Sequence, residues 1–403
     1  LDEMEQSESI RRSFPSLPVR GAYLDSAAKT LTCLPALEAM SDYYQNLDAN
    51  VDRGIYIRSA NASLALEDAR SSVASMICVP QDQLAFFPST TWAINAVANG
   101  IAWNSGDRVA TTVIEHHSNF LPWLNLRNRG VDVAVVKSSP HGYIDSEDLA
   151  RKSEGARLVA FTHASNALGT LQDIQSLTET ARERGAMVLI DGAQGVSHEN
   201  TDVGAVGPDA YAFSGHKCFG PTGIGAMYLS RRLLDAMKPS ILGGGSAGDS
   251  SPEGFTLRTE PATAVFEPGT PNIAGIIGFG AAASFRLSGV CCDAPVSTEA
   301  LSLKLLEGLL SIPGVEVFGC GDTGRRIPVA SFSVSGYSPH QVGMLLSGKH
   351  EIMVRTGHHC TPTLWKTLYG RTEGAVRASL HWYSTAKDVD ALLEAVALLK
   401  TNR

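Results

Sequence analysis

Six short, largely apolar runs constrain what this chain can fold into more than any other feature of it. They are Leu84–Phe87, Arg108–Thr112, Asp132–Val136, Leu158–Thr162, Val188–Asp191 and Ala210–Phe213. Near-continuous apolar character is what strands buried on both faces show, as in parallel sheets. Helical patterns alternate with them, among them Ser63–Met76 and Thr91–Ile101, the second led by Ser89 and Thr90 as caps. Strand–helix alternation of this kind predicts a doubly wound α/β architecture with a mainly parallel sheet. Such sheets bind ligands at the carboxyl ends of their strands.

The flanks of this region differ from it. Residues 1–20 read as an arm, a short polar helix and a Pro-containing loop that joins the smaller domain. Gly243-Gly244-Gly245 through Pro252-Glu253-Gly254 reads as a mobile loop. After a helix at Ile273–Leu287, Gly289, Cys291, Cys292 and Pro295 mark a composition break. Helix (Thr298–Leu310), strands (Val315–Phe318, Val329–Ser333) and helices (Pro339–Leu346, Val389–Leu399) then suggest an α+β domain. The expected division is 1–20, 21–287 and 288–403.

The balance of 33 basic against 41 acidic residues, a net charge of −8, gives no support for nucleic-acid binding, which calls for a basic face. No apolar run reaches the roughly 18 residues of a membrane span. Leu1-Asp2-Glu3-Met4-Glu5 is acidic where a signal peptide is basic and then apolar. The first residue is not methionine, which leaves open a trimmed chain or one cut from a longer polypeptide. Seven scattered cysteines without a C-x-x-C pair argue against a disulfide framework or a zinc ribbon and suit a reducing cytoplasm.

Polar residues recur where the predicted strands end. Lys217, in Ser214-Gly215-His216-Lys217, lies between the run Ala210–Phe213 and a second run, Ala226–Leu229. It either closes a hairpin or, desolvated, forms a Schiff base with an aldehyde cofactor. Gly220-x-x-Gly223-x-Gly225 lacks the lysine and hydroxyl of a P-loop. Asp191 follows four apolar residues; a carboxylate there is a helix cap or the partner of a cation such as a pyridinium nitrogen. Asn166 is a turn residue or a donor to a ligand oxygen. In Glu115-His116-His117-Ser118-Asn119 an imidazole can stack on an aromatic cofactor or move protons. Neither this pair nor His358-His359-Cys360 has metal-ligand spacing, so no metal is expected. Ser89-Thr90-Thr91 opens a helix, as a cap or a phosphate site. Cys360 stands among Arg355, His358 and His359, cationic company that favours a thiolate. Arg377 interrupts an apolar run, as a surface arginine or a carboxylate clamp.

Together these residues resemble the class V, fold-type I pyridoxal-phosphate enzymes, within them the group II cysteine desulfurases and selenocysteine lyases. The likeness runs from Tyr23-Leu24-Asp25-Ser26-Ala27-Ala28 to Arg377-Ala378-Ser379-Leu380. Its specific motifs include Asp191-Gly192-Ala193-Gln194, Ser214-Gly215-His216-Lys217, Phe266-Glu267-Pro268-Gly269-Thr270-Pro271-Asn272 and Arg355-Thr356-Gly357-His358-His359-Cys360. The resemblance implies pyridoxal 5′-phosphate on Lys217, with Asp191 at the pyridine nitrogen and His116 stacked on the ring. Gln194 and Asn166 then meet the phenolic oxygen, and Thr90, Thr91, Ser214 and His216 the phosphate. Thr270 is a residue lent by a neighbouring subunit, which implies a homodimer with shared active sites. Arg377, Arg355 and Asn166 hold the substrate carboxylate, Tyr56 stands at the substrate entrance, and Cys360 accepts sulfur as a persulfide bound for an acceptor protein.

The chain departs from the family pattern at several places, Lys29 and the 243–254 loop among them. Pro88-Ser89-Thr90-Thr91-Trp92 replaces the usual Arg-Gly-Thr-Thr-Glu, and Tyr56 stands where a histidine is customary. The implied activity is conversion of cysteine to alanine. The alternative is a carbon–sulfur lyase on the same scaffold, which releases pyruvate and ammonia from cysteine or an S-substituted cysteine. A third reading, a non-catalytic partner that binds cofactor, is opposed by the presence of Lys217, Asp191, His116 and Arg377.

Overall fold

The computed structural model describes residues 3–52, 54–288, 294–319 and 325–401. Gly289, Cys291 and Cys292, where the composition breaks, lie outside the described residues, as does Cys320.

All six predicted strands form, and Gly225–Leu229 joins them in one seven-stranded sheet. Its order is Leu84–Phe87, Gly225–Leu229, Ala210–Ser214, Met187–Asp191, Ala156–Thr162, Arg108–Thr112, Asp132–Val136. Gly225–Leu229 pairs antiparallel with both neighbours, and the other ladders are parallel. Successive side chains enter opposite faces. Val188, Ile190, Tyr211 and Phe213 belong to one apolar cluster, and Leu189, Ala210 and Ala212 to another. Burial on both faces is why the runs read as continuously apolar rather than alternating. Each fully buried large side chain contributes roughly 2 kcal/mol.

Helix Leu34–Asp42 packs on Ile273–Leu287, where a Cβ on Gly278 would lie 2.6 Å from Met40 Cγ, and one of these faces is covered by helices Ile57–Ser75 and Ile273–Leu287. The last two cross closely, since a Cβ on Gly280 would lie 2.5 Å from Ala69. The first of that pair starts six residues before the predicted Ser63, at Ile57, without a side-chain cap. Tertiary packing rather than a capping signal sets its beginning.

A second, antiparallel sheet has the order Val315–Phe318, Val329–Val334, Ala375–Ser379, Arg355–Gly357. Helices Ala294–Ser311, Pro339–His350 and Ala386–Thr401 pack on it around a separate core. The N-terminal helix Glu3–Arg12 leads into Phe14, which packs on Phe219 at 5.1 Å and on Tyr383 at 4.8 Å, so the arm touches both halves.

The segment read as a loop from 243 onward departs from that reading. Ala247–Ser251 and Gly254–Leu257 pair as an antiparallel hairpin that is almost wholly exposed. A strand pair with no buried face carries no apolar alternation, so no pattern announced it.

Candidate active site

Five segments that follow strand ends, 89–91, 115–118, 162–166, 191–194 and 214–217, converge on one cavity of about 260 Å³. The second sheet closes it with Arg355, His359, Cys360 and Arg377. Lys217 sits in the connection between Ala210–Ser214 and Gly225–Leu229, so it both closes a hairpin and faces the cavity. Burial pushes its amine below the usual lysine range, against the opposing pull of Asp191. Asp191 is 4% exposed, and burial raises its pKa. The one hydrogen bond of its carboxylate among the described residues comes from the Ala193 N–H, to Oδ1 at 3.0 Å. A buried carboxylate so thinly partnered calls for a proton or a cation from whatever fills the cavity.

His116 is fixed from below. Its Nδ1 accepts from the Ser118 N–H at 3.1 Å and lies 3.0 Å from Ser118 Oγ, which in turn meets Thr91 Oγ1 at 2.7 Å. With Nδ1 accepting, the neutral ring carries its proton on Nε2. Burial, followed by repulsion from Lys217, pushes its pKa down to about 3. Beneath it, Glu115 is 2% exposed and accepts from Thr112 Oγ1 (2.5 Å), Asn119 Nδ2 (2.7 Å) and Thr162 N (3.0 Å). Burial pushes Glu115 up to about 8. Its carboxyl binds two strand ends and the histidine turn into one unit.

The hydroxyl wall forms at the start of helix Thr90–Gly100. Ser214 Oγ accepts from the Thr90 N–H at 2.8 Å and lies 2.7 Å from Thr90 Oγ1. A Cβ on Gly225 would come 3.0 Å from Ser89 Cα, so the neighbouring strand approaches this turn as only glycine permits. The N-cap, Ser89, makes no side-chain capping bond, and the helix end faces the cavity. His216 lines the same wall and is kept neutral by burial, its pKa pushed down to about 4.

On the opposite side Arg377 and Arg355 stand directly across from each other on paired strands. Like charges so placed repel. Asp25 offsets this, with Oδ1 3.1 Å from Arg377 Nη2 and Oδ2 3.6 Å from Arg355 Nη1. Arg377 also donates to the Asn166 carbonyl at 2.9 Å, and its Nε, buried, has no partner among the described residues. Donor capacity is therefore left over for a carboxylate.

Cys360 is exposed on a tight turn with His359 and Cys360 both at positive φ (52° and 58°). Three consecutive carbonyls of the turn are pinned. His358 O accepts from Thr361 Oγ1 and Trp365 Nε1, His359 O from Asn166 Nδ2 at 2.8 Å, and Cys360 O from His117 N at 2.8 Å. The expected cationic histidine is absent at His359, where burial pushes the pKa to about 2. The cations that interact with this thiol are Arg377 and Lys217.

Two expected site residues are not brought into this cavity within one chain. Tyr56 is 54% exposed at the start of its helix. Thr270 lines a separate cleft of about 590 Å³ with Trp92 and Ile241. Gln194 does line the cavity, but its Nε2 already donates to the Ala27 carbonyl at 2.7 Å. Glu115, Ser118 and Asp25 stand inside the sequence motifs, but only the folded chain gives them their partners. A charged residue amid buried strand ends was the available signal. Among the described residues, no group of three or more His, Cys, Asp or Glu could hold a metal ion, and no helix is long and apolar enough to cross a membrane.

The buried histidines make stability depend on pH. His116, His163 and His359 have folded pKa values of about 3, 3 and 2, below the roughly 6.5 of an unfolded chain. Below pH 6.5 the unfolded state therefore takes up protons that the folded state refuses, and stability is lost as pH falls. Glu115 acts oppositely, stabilising at low pH and losing that contribution as pH rises through about 8. His198, His216 and His381, also lowered by burial, add to the loss, Asp191, raised by burial, opposes it together with Glu115, and the histidines outnumber the carboxylates. Urea unfolding of the cofactor-free protein should show stability falling by roughly 1–3 kcal/mol per pH unit between pH 6.5 and 5. A flat or rising midpoint contradicts this.

Fold and cavity together define an α/β enzyme whose lysine, buried carboxylate and hydroxyl-lined helix end converge at the carboxyl ends of a mainly parallel sheet. The chain belongs to the class-V aminotransferase family, whose model matches residues 22–392. A probable cysteine desulfurase of Methanothermobacter thermautotrophicus is 40% identical over 396 residues, 97% of each chain. The apo cysteine desulfurase of Thermococcus onnurineus NA1 superimposes with a TM-score of 0.93 at 34% identity, covering 98% of both chains. A cysteine desulfurase of Escherichia coli gives 0.88 at 33% identity, again over 98% of both.

Proposed function

We propose that this chain is a pyridoxal-phosphate-dependent cysteine desulfurase. The single observation that carries this reading is Cys360, held on a pinned turn at the mouth of the cavity that Lys217 and Asp191 line. The full-length likeness to proteins named cysteine desulfurase favours it over the carbon–sulfur lyase.

The residues present fit the cofactor. The thinly partnered, buried Asp191 suits a pyridinium nitrogen, and the helix start at Thr90 and Thr91, with Ser214 and His216, suits a phosphate. Bound there, pyridoxal phosphate supplies an aldehyde for the lysine amine and a ring that withdraws electrons from the substrate α-carbon. Gln194 and Asn166 each keep an amide N–H for the phenolic oxygen. His116, kept neutral by burial, would face the ring without adding charge.

Arg377 and Arg355 hold the substrate carboxylate, with Asp25 keeping the two guanidinium groups together. The Lys217 amine, its pKa lowered by burial, takes the α-proton. Cys360 Sγ then forms a bond to the substrate sulfur while the substrate Cβ–S bond breaks. The electron pair stays with Cβ, which takes a proton, so alanine leaves and a persulfide remains on Cys360. Exposure of Cys360 suits transfer to an acceptor protein. The separate cleft lined by Trp92 and Thr270, with Ile241 and Trp92 half exposed, supports a homodimer with shared active sites. The second sheet's own apolar cluster favours a division near 287/288, while Ala22 and Leu24 join that cluster and Ala22–Tyr23 pairs with Ile352–Met353, so the N-terminal segment that sides with the smaller domain runs past residue 20.

The reading is tested by assaying alanine against pyruvate, from cysteine and from an S-substituted cysteine. Alanine from cysteine is expected in excess, with little pyruvate from either. Pyruvate and ammonia as main products would establish the lyase instead.

A further inference from the structure

Behind the cavity wall, residues of three separate segments form one hydrogen-bonded chain. The Trp382 N–H donates to His381 Nδ1 at 2.9 Å. His381 Nε2 lies 2.7 Å from Ser197 Oγ, and Ser197 Oγ lies 2.5 Å from the carbonyl oxygen of Lys217. A carbonyl can only accept, so the single serine proton goes to Lys217. Ser197 must then accept from His381 Nε2–H, and Nδ1, which faces an N–H, carries no proton. Every donor has one acceptor, and the imidazole is locked in one neutral tautomer.

The surroundings hold that arrangement. His381 is fully buried, edge-on to Phe219 at 4.4 Å and stacked on His198 at 4.6 Å. Ser197 is 2% exposed, on the short helix Gly195–His198 that directly follows Asp191–Gln194. His381 lies just past the strand Ala375–Ser379, which carries Arg377. The chain therefore ties the carboxylate segment, the lysine peptide and the arginine strand together at a point that touches neither cofactor nor substrate.

We infer that His381 is a positioning residue for Lys217, acting through Ser197 to hold the lysine peptide in register with Asp191 and Arg377. This rests on the reading of Lys217 as the cofactor-binding lysine. Loss of the link frees the peptide from which the amine is aimed, and small displacements of a reacting group slow chemistry steeply.

The test compares Ser197→Ala, His381→Phe, their double variant and His381→Gln, which keeps an N–H donor, with Lys217→Ala as control. Three readouts are taken: the rate at which cofactor-free protein takes up pyridoxal 5′-phosphate, the pH midpoint of the resulting visible band, and kcat with KM for cysteine. Ser197→Ala and His381→Phe should each lower the uptake rate and kcat by about 10-fold and displace the midpoint in the same direction, with KM within about twofold. The double variant should be no worse than Ser197→Ala, because the two residues act as one link, and His381→Gln should recover most of the loss. Should His381→Phe fail to fold, Ser197→Ala alone decides. Wild-type uptake, kcat and midpoint in Ser197→Ala would overturn the inference, as would losses that multiply in the double variant. If Lys217→Ala still forms the band, the reading of Lys217 has failed. If the band is lost there while Ser197→Ala behaves as wild type, only the inference about His381 has.

Discussion

Replacing Cys360 by alanine should lower alanine formation from cysteine by about 10³-fold or more while leaving cofactor uptake unchanged. The size of the effect follows from the absence of a substitute thiol. Among the described residues, Cys33 and Cys218 are fully buried, with burial raising their thiols to about 11 and 12. Cys78 is exposed, but just past the helix Ile57–Ser75 and outside the cavity. Cys360 is the cysteine lining the cavity, and three pinned carbonyls hold its turn in place. Serine at this position should be as inactive as alanine, because an alkoxide-forming hydroxyl does not take sulfur from cysteine. Alanine is quantified by chromatography, and the persulfide appears as one added sulfur on the peptide bearing residue 360. Undiminished alanine turnover in Cys360→Ala would remove the nucleophile from the mechanism.

Lys217→Ala should abolish both the visible cofactor band and turnover, by about 10⁴-fold or more. Burial keeps the Lys217 amine below the usual lysine range, so it is both a nucleophile towards an aldehyde and a base towards the substrate α-proton. The nearby Lys29 cannot replace it, since its amine donates to Thr30 O at 2.9 Å and Thr32 Oγ1 at 3.2 Å, away from the cavity. Borohydride reduction followed by peptide mass analysis should place the cofactor on Lys217 in the wild type and nowhere in the variant. A small exogenous amine should restore part of the turnover, which a merely unfolded variant would not allow. Label on another lysine would contradict the assignment.

Much of the site was legible because the residues that build it follow strand ends, where an apolar run stops at a polar residue. Asp191, Lys217, Asn166 and His116 all announced themselves in this way. What stayed hidden depends on contacts between distant parts of the chain. Asp25 meets Arg377 across 352 residues, and nothing local to either reveals that Arg355 faces Arg377 on the next strand. His359 looked like a cation favouring a thiolate beside it. Only its burial shows that it is neutral. The exposed hairpin at 247–257 has no apolar face, so no period marked it.

By itself, the order of residues determined the buried strands, the bodies of helices between them and the polar residues at the strand ends, because side-chain period and turn chemistry act over a few residues. The tertiary structure decided which of those ends meet, which arginine gains a carboxylate partner and which histidines lose their charge. Those outcomes depend on desolvation and on hydrogen bonds between segments. Both exist only once the two sheets have closed around the cavity.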